Sequence, residues 1–262
     1  MERKGLLATG LLVCLFLLIT GVTWLQADVY MKQKTHTDGF TVMGQTQPAK
    51  DEITVIWIGK DRSRTDTGEK SSLIVRADKG VVYRINHQKL TYRETPLNLK
   101  QMVDKNVAGQ DKDVQEFAEL AEDMAEAFAE GTEVKVTETQ ETKTIGKWDC
   151  RKYLINTSMP MGETSSEAWA TDKLKMDWKN YLMLTNAMMA GSSGFEKMID
   201  KMYKEMSKIK GVVVYQLNKT TAMDIGINST TEMLEFEEKT PPEGLYDVPA
   251  GYKAEKNPGG RR

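Results

Sequence analysis

The chain has 262 residues and a formal net charge of −2, a length that allows one large domain or two small ones and a charge balance that argues against a nucleic-acid partner. Its two cysteines, Cys14 and Cys150, rule out a disulfide framework, so the core has to come from apolar burial.

Behind Arg3 and Lys4 no charge occurs from Gly5 to Trp24, and Leu11 to Ile19 is strongly apolar. That is the layout of an export signal, with cleavage expected after Ala27. An uncleaved anchor is the alternative, because about 20 apolar residues can span a bilayer. Either way the rest of the chain is expected outside the cytoplasm, periplasmic or secreted, in a bacterial cell envelope. Cys14 has more apolar sequence after it, which argues against lipid attachment there.

From Asp28 to Glu94 short strands alternate with turns, as in an antiparallel meander. Asp38-Gly39 reads as a hairpin turn between 29–35 and 40–43. Ile53 to Ile58 is apolar at both alternating positions, so this strand is expected to be covered on both faces. His87 falls in a turn, 86–89, and is expected to be solvated.

The period then changes to 3.6 residues. A short helix is expected near Leu99 to Val107, followed by a longer amphipathic one whose apolar face runs from Val114 to Phe128. Strands are expected over 133–139, 147–156 and 166–171. A helical pair follows, 178–190 and 195–209, joined at Gly191-Ser192-Ser193-Gly194. The chain closes on strands over 212–217 and 228–237, a Pro241-Pro242 break and a terminal tail. This is an α+β pattern, one large antiparallel sheet with helices gathered on one side of it, and a curved sheet with something packed in its concavity would cover both faces of 53–58. The division expected is a signal over 1–27, one domain over 28–253 and a flexible tail over 254–262.

The residues give no positive support for an enzyme. Only His36 and His87 could act as imidazole bases, no metal-ligand spacing is evident, and the Gly191 to Gly194 loop joins two helices, unlike a nucleophile elbow. No catalytic residue, metal or cofactor is expected. Methionine is the unusual feature. Sixteen occur, and Met198, Met202 and Met206 share the apolar face of the last helix. Thioethers re-pack around apolar guests and also bind Cu(I). A lone thiol in Trp148-Asp149-Cys150-Arg151 reads as a small buried hydrophobe.

Ordered short patterns spread along the chain carry a resemblance: Trp57-Ile58-Gly59-Lys60, Gly80-Val81-Val82-Tyr83, Gly146-Lys147-Trp148-Asp149-Cys150, Ala168-Trp169-Ala170-Thr171 and Pro249-Ala250-Gly251-Tyr252. Together they resemble a secreted branch, of unassigned function, of the LolA/LolB-like lipoprotein-carrier superfamily. The resemblance implies a strongly curved antiparallel β-sheet, a half-barrel, with helices packed on its concave side, and relatives that carry lipids or lipoproteins. On it rests the expectation of a monomer that binds a lipid, acyl chain or lipidated protein and touches membranes transiently. Trp57, Tyr83, Trp169, Met198, Met202 and Met206 are the expected cavity residues. The alternatives are a structural or interaction protein with a self-filled core and a methionine-based copper binder.

Overall fold

A computed structural model describes residues 27–42, 44–97, 120, 123–124, 126–187, 194–222 and 225–255. The export segment before Ala27, the helix expected at 99–107, most of the one that follows it, Met188, Met189, the loop 191–193 and the tail beyond Glu255 lie outside the described residues.

The first half contributes β1 (Asp28–Thr37), β2 (Phe40–Val42), β3 (Gln45–Gln47), β4 (Lys50–Ile58), β5 (Arg62–Thr67), β6 (Ser71–Arg76), β7 (Val81–Asn86) and β8 (Thr91–Pro96). The second half contributes β9 (Glu133–Ile145), β10 (Trp148–Met159), β11 (Gly162–Thr171), helices α1 (Trp178–Thr185) and α2 (Phe195–Met206), then β12 (Val212–Ala222), β13 (Ile225–Lys239) and β14 (Lys253–Ala254). Twelve strands form one sheet in the order β14-β8-β7-β6-β5-β4-β1-β13-β12-β11-β10-β9. All its neighbours are antiparallel except β14 on β8. The fold is thus a large, curved, unclosed antiparallel sheet with a few helices, as the sequence pattern predicts.

Two meanders, β4 to β8 and β9 to β13, meet on β1, which pairs with β4 on one side and β13 on the other. That central place removes the hairpin expected at Asp38-Gly39. Both edges of β1 are taken, so β2 pairs with β3 in a separate two-stranded ribbon. Register irregularities at Lys32/Gln33, Arg151/Tyr153 and Trp169/Ala170 bend the sheet. On β10 burial passes from the even residues Trp148 and Cys150 to the odd residues Tyr153 and Ile155 across one of these irregularities.

Helices α1 and α2 pack on one face. Met31, Ile56, Ile58, Val75, Val82, Val214 and Met233 meet Leu184 and Ala187 there, while Tyr153, Ile155 and Ala168 meet Ile209 and Met206. α1 ends at Thr185 and α2 at Met206, both earlier than the apolar period predicts. The link from α2 into β12 requires Gly211: its φ is 94°, and a Cβ there would stand 1.8 Å from the Thr171 carbonyl oxygen.

The opposite face of β4 to β8 is covered by the C-terminal segment 241–255. Trp57, Ile74 and Ile85 are buried with Tyr246 and flanked by Leu245, Val248 and Tyr252. The strand 53–58 is therefore covered on both sides, by helices and by this segment.

Candidate functional site

Alternation on the strands decides which residues face the helices. Met31 pairs with Ile56, Gln33 with Met233 and Gln216 with Thr231, so these side chains share the concave face. α1 crosses above them. Its N-terminus is capped by Asp177, whose carboxylate accepts from the Asn180 amide N–H at 3.0 Å. Asn180 Nδ2 donates to the Gly59 carbonyl at 2.8 Å, and Trp178 Nε1 donates to the Gly211 carbonyl at 3.2 Å. Both contacts tie the helix to the sheet.

Between α1, the end of α2 and the sheet lies a cavity of about 120 Å³. Met31, Met176, Met206 and Met233 line it with Trp178 and Tyr181, and Gln33, Gln216 and Thr231 add polar groups to the lining. Burial pushes the Tyr181 phenol up, which keeps it neutral. Four thioethers around one space make walls that can change shape, since methionine has an unbranched, flexible side chain. A second recess, about 270 Å³ beside Ala27, Val29 and Ile58, shares Met176 with the first. A larger recess, about 690 Å³, lies elsewhere, at the end of β9 and the start of β10. Charged groups line it, several already paired: Arg151 and Lys210 with Glu138, and Lys173 with Asp149.

Of the six side chains expected at the cavity, Met206 lines it. Met198 is buried one layer further out, with Phe195, Ile199, Leu182 and Ala129, and Met202 packs on that cluster. Trp57 and Tyr83 are together, but under the C-terminal segment on the far face of the sheet. Trp169 pairs with Lys152 and Tyr215 and stands 5.8 and 5.9 Å from the Lys143 and Lys152 ammonium groups. Met31, Met176 and Met233 were missed because they lie in three segments far apart in the chain, on β1, before α1 and on β13, and only the long-range pairing of β1 with β13 brings them together. The alternation Val29, Met31 on β1 was the signal available.

Neither a protein-family model nor a curated protein sequence matches this chain. Solved structures do. One is an outer membrane lipoprotein-sorting protein domain from Vibrio parahaemolyticus, 6% identical, with 84% of this chain and 89% of that one covered and a TM-score of 0.30. Another is a DUF1329 family protein from Desulfovibrio piger, 9% identical, with 89% and 92% covered and a TM-score of 0.29. Likeness at this level assigns no activity, and the functional reading rests on the chain's own residues.

One polar group resembles catalytic machinery and is built differently. Ser72 Oγ lies 2.5 Å from His87 Nε2, and Ser72 also donates to Asp66. In a hydrolase triad the carboxylate would orient the imidazole. Here the other imidazole nitrogen, Nδ1, meets the Tyr252 hydroxyl at 2.7 Å, and Ser72 is 4% exposed. The group fastens the C-terminal segment, so His87 is half-buried where a solvated turn residue was expected. Among the described residues no group of three or more His, Cys, Asp or Glu is placed to hold a metal, and no helix is long and apolar enough to cross a membrane.

Proposed function

We propose that this is a non-enzymatic cell-envelope protein that holds an apolar chain, of a lipid or a lipidated protein, between the concave face of its sheet and α1. The observation that carries the reading is the convergence of Met31, Met176, Met206 and Met233 on one cavity beneath a short helix. Its volume of about 120 Å³ is below the roughly 300 to 1,000 Å³ of ordinary ligand sites. Loading therefore requires the methionines to re-pack and α1 to lift. The small volume also favours a second reading, a structural protein whose core fills itself.

Delipidated, correctly folded protein should take up N-phenyl-1-naphthylamine saturably, and Met206→Asp should abolish uptake while far-UV circular dichroism stays unchanged. Absence of saturable uptake by the folded wild type would leave the self-filled reading. Native mass spectrometry of protein taken from the envelope separates retained lipid from retained copper by mass.

A further inference from the structure

The concave face changes character beyond the cavity. On β1, β13, β12 and β11 the register places Thr35, Thr231, Gln216, Asn218, Ser229 and Ser166 on the helix-bearing face. They are linked side chain to side chain. Thr35 and Thr231 hydroxyls are 3.1 Å apart, Asn218 Oδ1 accepts from Ser166 Oγ and Gln216 Nε2 at 2.7 Å each, and Asn218 Nδ2 donates to Ser229 Oγ at 3.3 Å. Charges on the same strands take the alternate positions, at Lys34, Glu232 and Glu167, and so face the other way. Gln216 and Thr231 belong both to this uncharged ladder and to the methionine cavity, so the two surfaces are continuous.

We infer that the concavity selects an uncharged amphiphile: its apolar tail lies among the methionines, and a head rich in hydroxyl, ester or amide groups lies on the ladder. The inference rests on the apolar-chain reading above and adds the class of head group. Hydroxyls and amides both donate and accept, and a neutral head of the same kind exchanges hydrogen bonds with them one for one. Among the described residues Lys50 is the cation beside Thr35 and Thr37 on this face, and Glu52 already pairs it, so a carboxylate or phosphate head would be desolvated without a free cation there, which costs far more than a neutral group. Glu52, opposite Thr35 in the register, is itself an anion and is already paired with Lys50. A quaternary ammonium head would meet only that carboxylate beside Thr35 among the described residues, and Lys50 already holds it.

Four probes with one chain length test this on the delipidated protein below their micellar concentrations: 1-decanoylglycerol, decanoate, decyl phosphate and decyltrimethylammonium, each displacing N-phenyl-1-naphthylamine. The glyceride should bind at least tenfold tighter than any charged probe. Equal or tighter binding of a charged probe would overturn the head assignment while leaving the apolar-chain reading intact. Failure of all four, with no uptake of the reporter, would overturn both. Thr231→Val keeps the side-chain shape and suits a strand, so it should weaken the glyceride several-fold without moving the charged probes. Unchanged glyceride affinity in that variant would also reject the ladder.

Discussion

The Cys150 thiol is 4% exposed on β10, and desolvation by burial pushes its pKa up. It is therefore expected to resist thiol reagents in native buffer and to react fully once the chain unfolds in urea. Cys150→Ala should keep the fold and lower stability by about 0.5 to 3 kcal/mol, as core truncations do. The sequence already showed this residue as a small hydrophobe, because its neighbours alternate apolar and charged. What it could not show was Arg76. That guanidinium reaches Asp78 through Nε at 2.8 Å and Nη2 at 2.7 Å and Asp247 through Nη1 at 2.9 Å. Hydrogen bonds from Arg76 hold the Asp78 carboxyl below the usual carboxylate range. A depressed folded-state pKa contributes stability that is present above the unfolded value, near 4, and is lost as pH falls through the folded one. Asp78→Asn should lower stability at neutral pH by about 1.5 to 3 kcal/mol. It should also flatten the acid limb of a urea-midpoint profile below about pH 4, and a limb as steep as wild type would reject the pairing as its source.

At the scale of elements, local signals were read well and long-range pairings were not. Ile53 to Ile58 announces two covered faces by its own alternation, yet the second cover comes from a segment about 190 residues downstream, and no local pattern specifies that. The same limit explains Asp38-Gly39: its turn chemistry is sound, but β1 is captured by β4 and β13, and a two-residue signal cannot outweigh two full ladders. Trp57 and Tyr83 followed from this. They are large apolar strand residues, and which face the ligand side occupies is decided by β14 and the segment before it. That segment is held by more than burial: Arg64 donates to the Leu245 carbonyl at 3.0 Å, the Tyr246 hydroxyl donates to Asp28 at 2.6 Å, and the backbone of Lys253 and Glu255 pairs with Leu90 and Tyr92. Burial and the Asp28 carboxylate push the Tyr246 phenol far up, so it remains a donor throughout the accessible pH range. Removing residues 241–262 uncovers Trp57, Ile74 and Ile85, each worth roughly 1.5 to 3 kcal/mol when buried. The loss approaches the whole stability of a typical domain. The truncated chain should show early hydrogen exchange along β6 and β7 and no cooperative urea transition. A cooperative transition with the wild-type midpoint would mean that the segment merely lies on the sheet.

For the molecule as a whole, the question is what moves when the cavity fills. The sheet is one continuous ladder of twelve strands, so separating strands would break many hydrogen bonds at once. Lifting α1 breaks few. It spans eight residues, and near its start Asn180 ties it to Gly59 and Trp178 to Gly211. Helix α2 is held more firmly, by the buried Phe195, Met198 and Ile199 and by Glu205, which accepts from the Val136 N–H at 2.8 Å. α1 buries Leu182 and Leu184 as well, but it is the shorter helix, and it is the element expected to open first over the cavity. Asn180→Ala removes one tie, leaves the Asp177 cap and the cavity lining in place, and should cost about 1 kcal/mol of stability. Because it eases opening without changing what the ligand touches, stopped-flow uptake of N-phenyl-1-naphthylamine should show association and dissociation rates that rise together several-fold, with Kd nearly unchanged. A variant that loses stability yet keeps both wild-type rates would show that ligand enters without α1 moving.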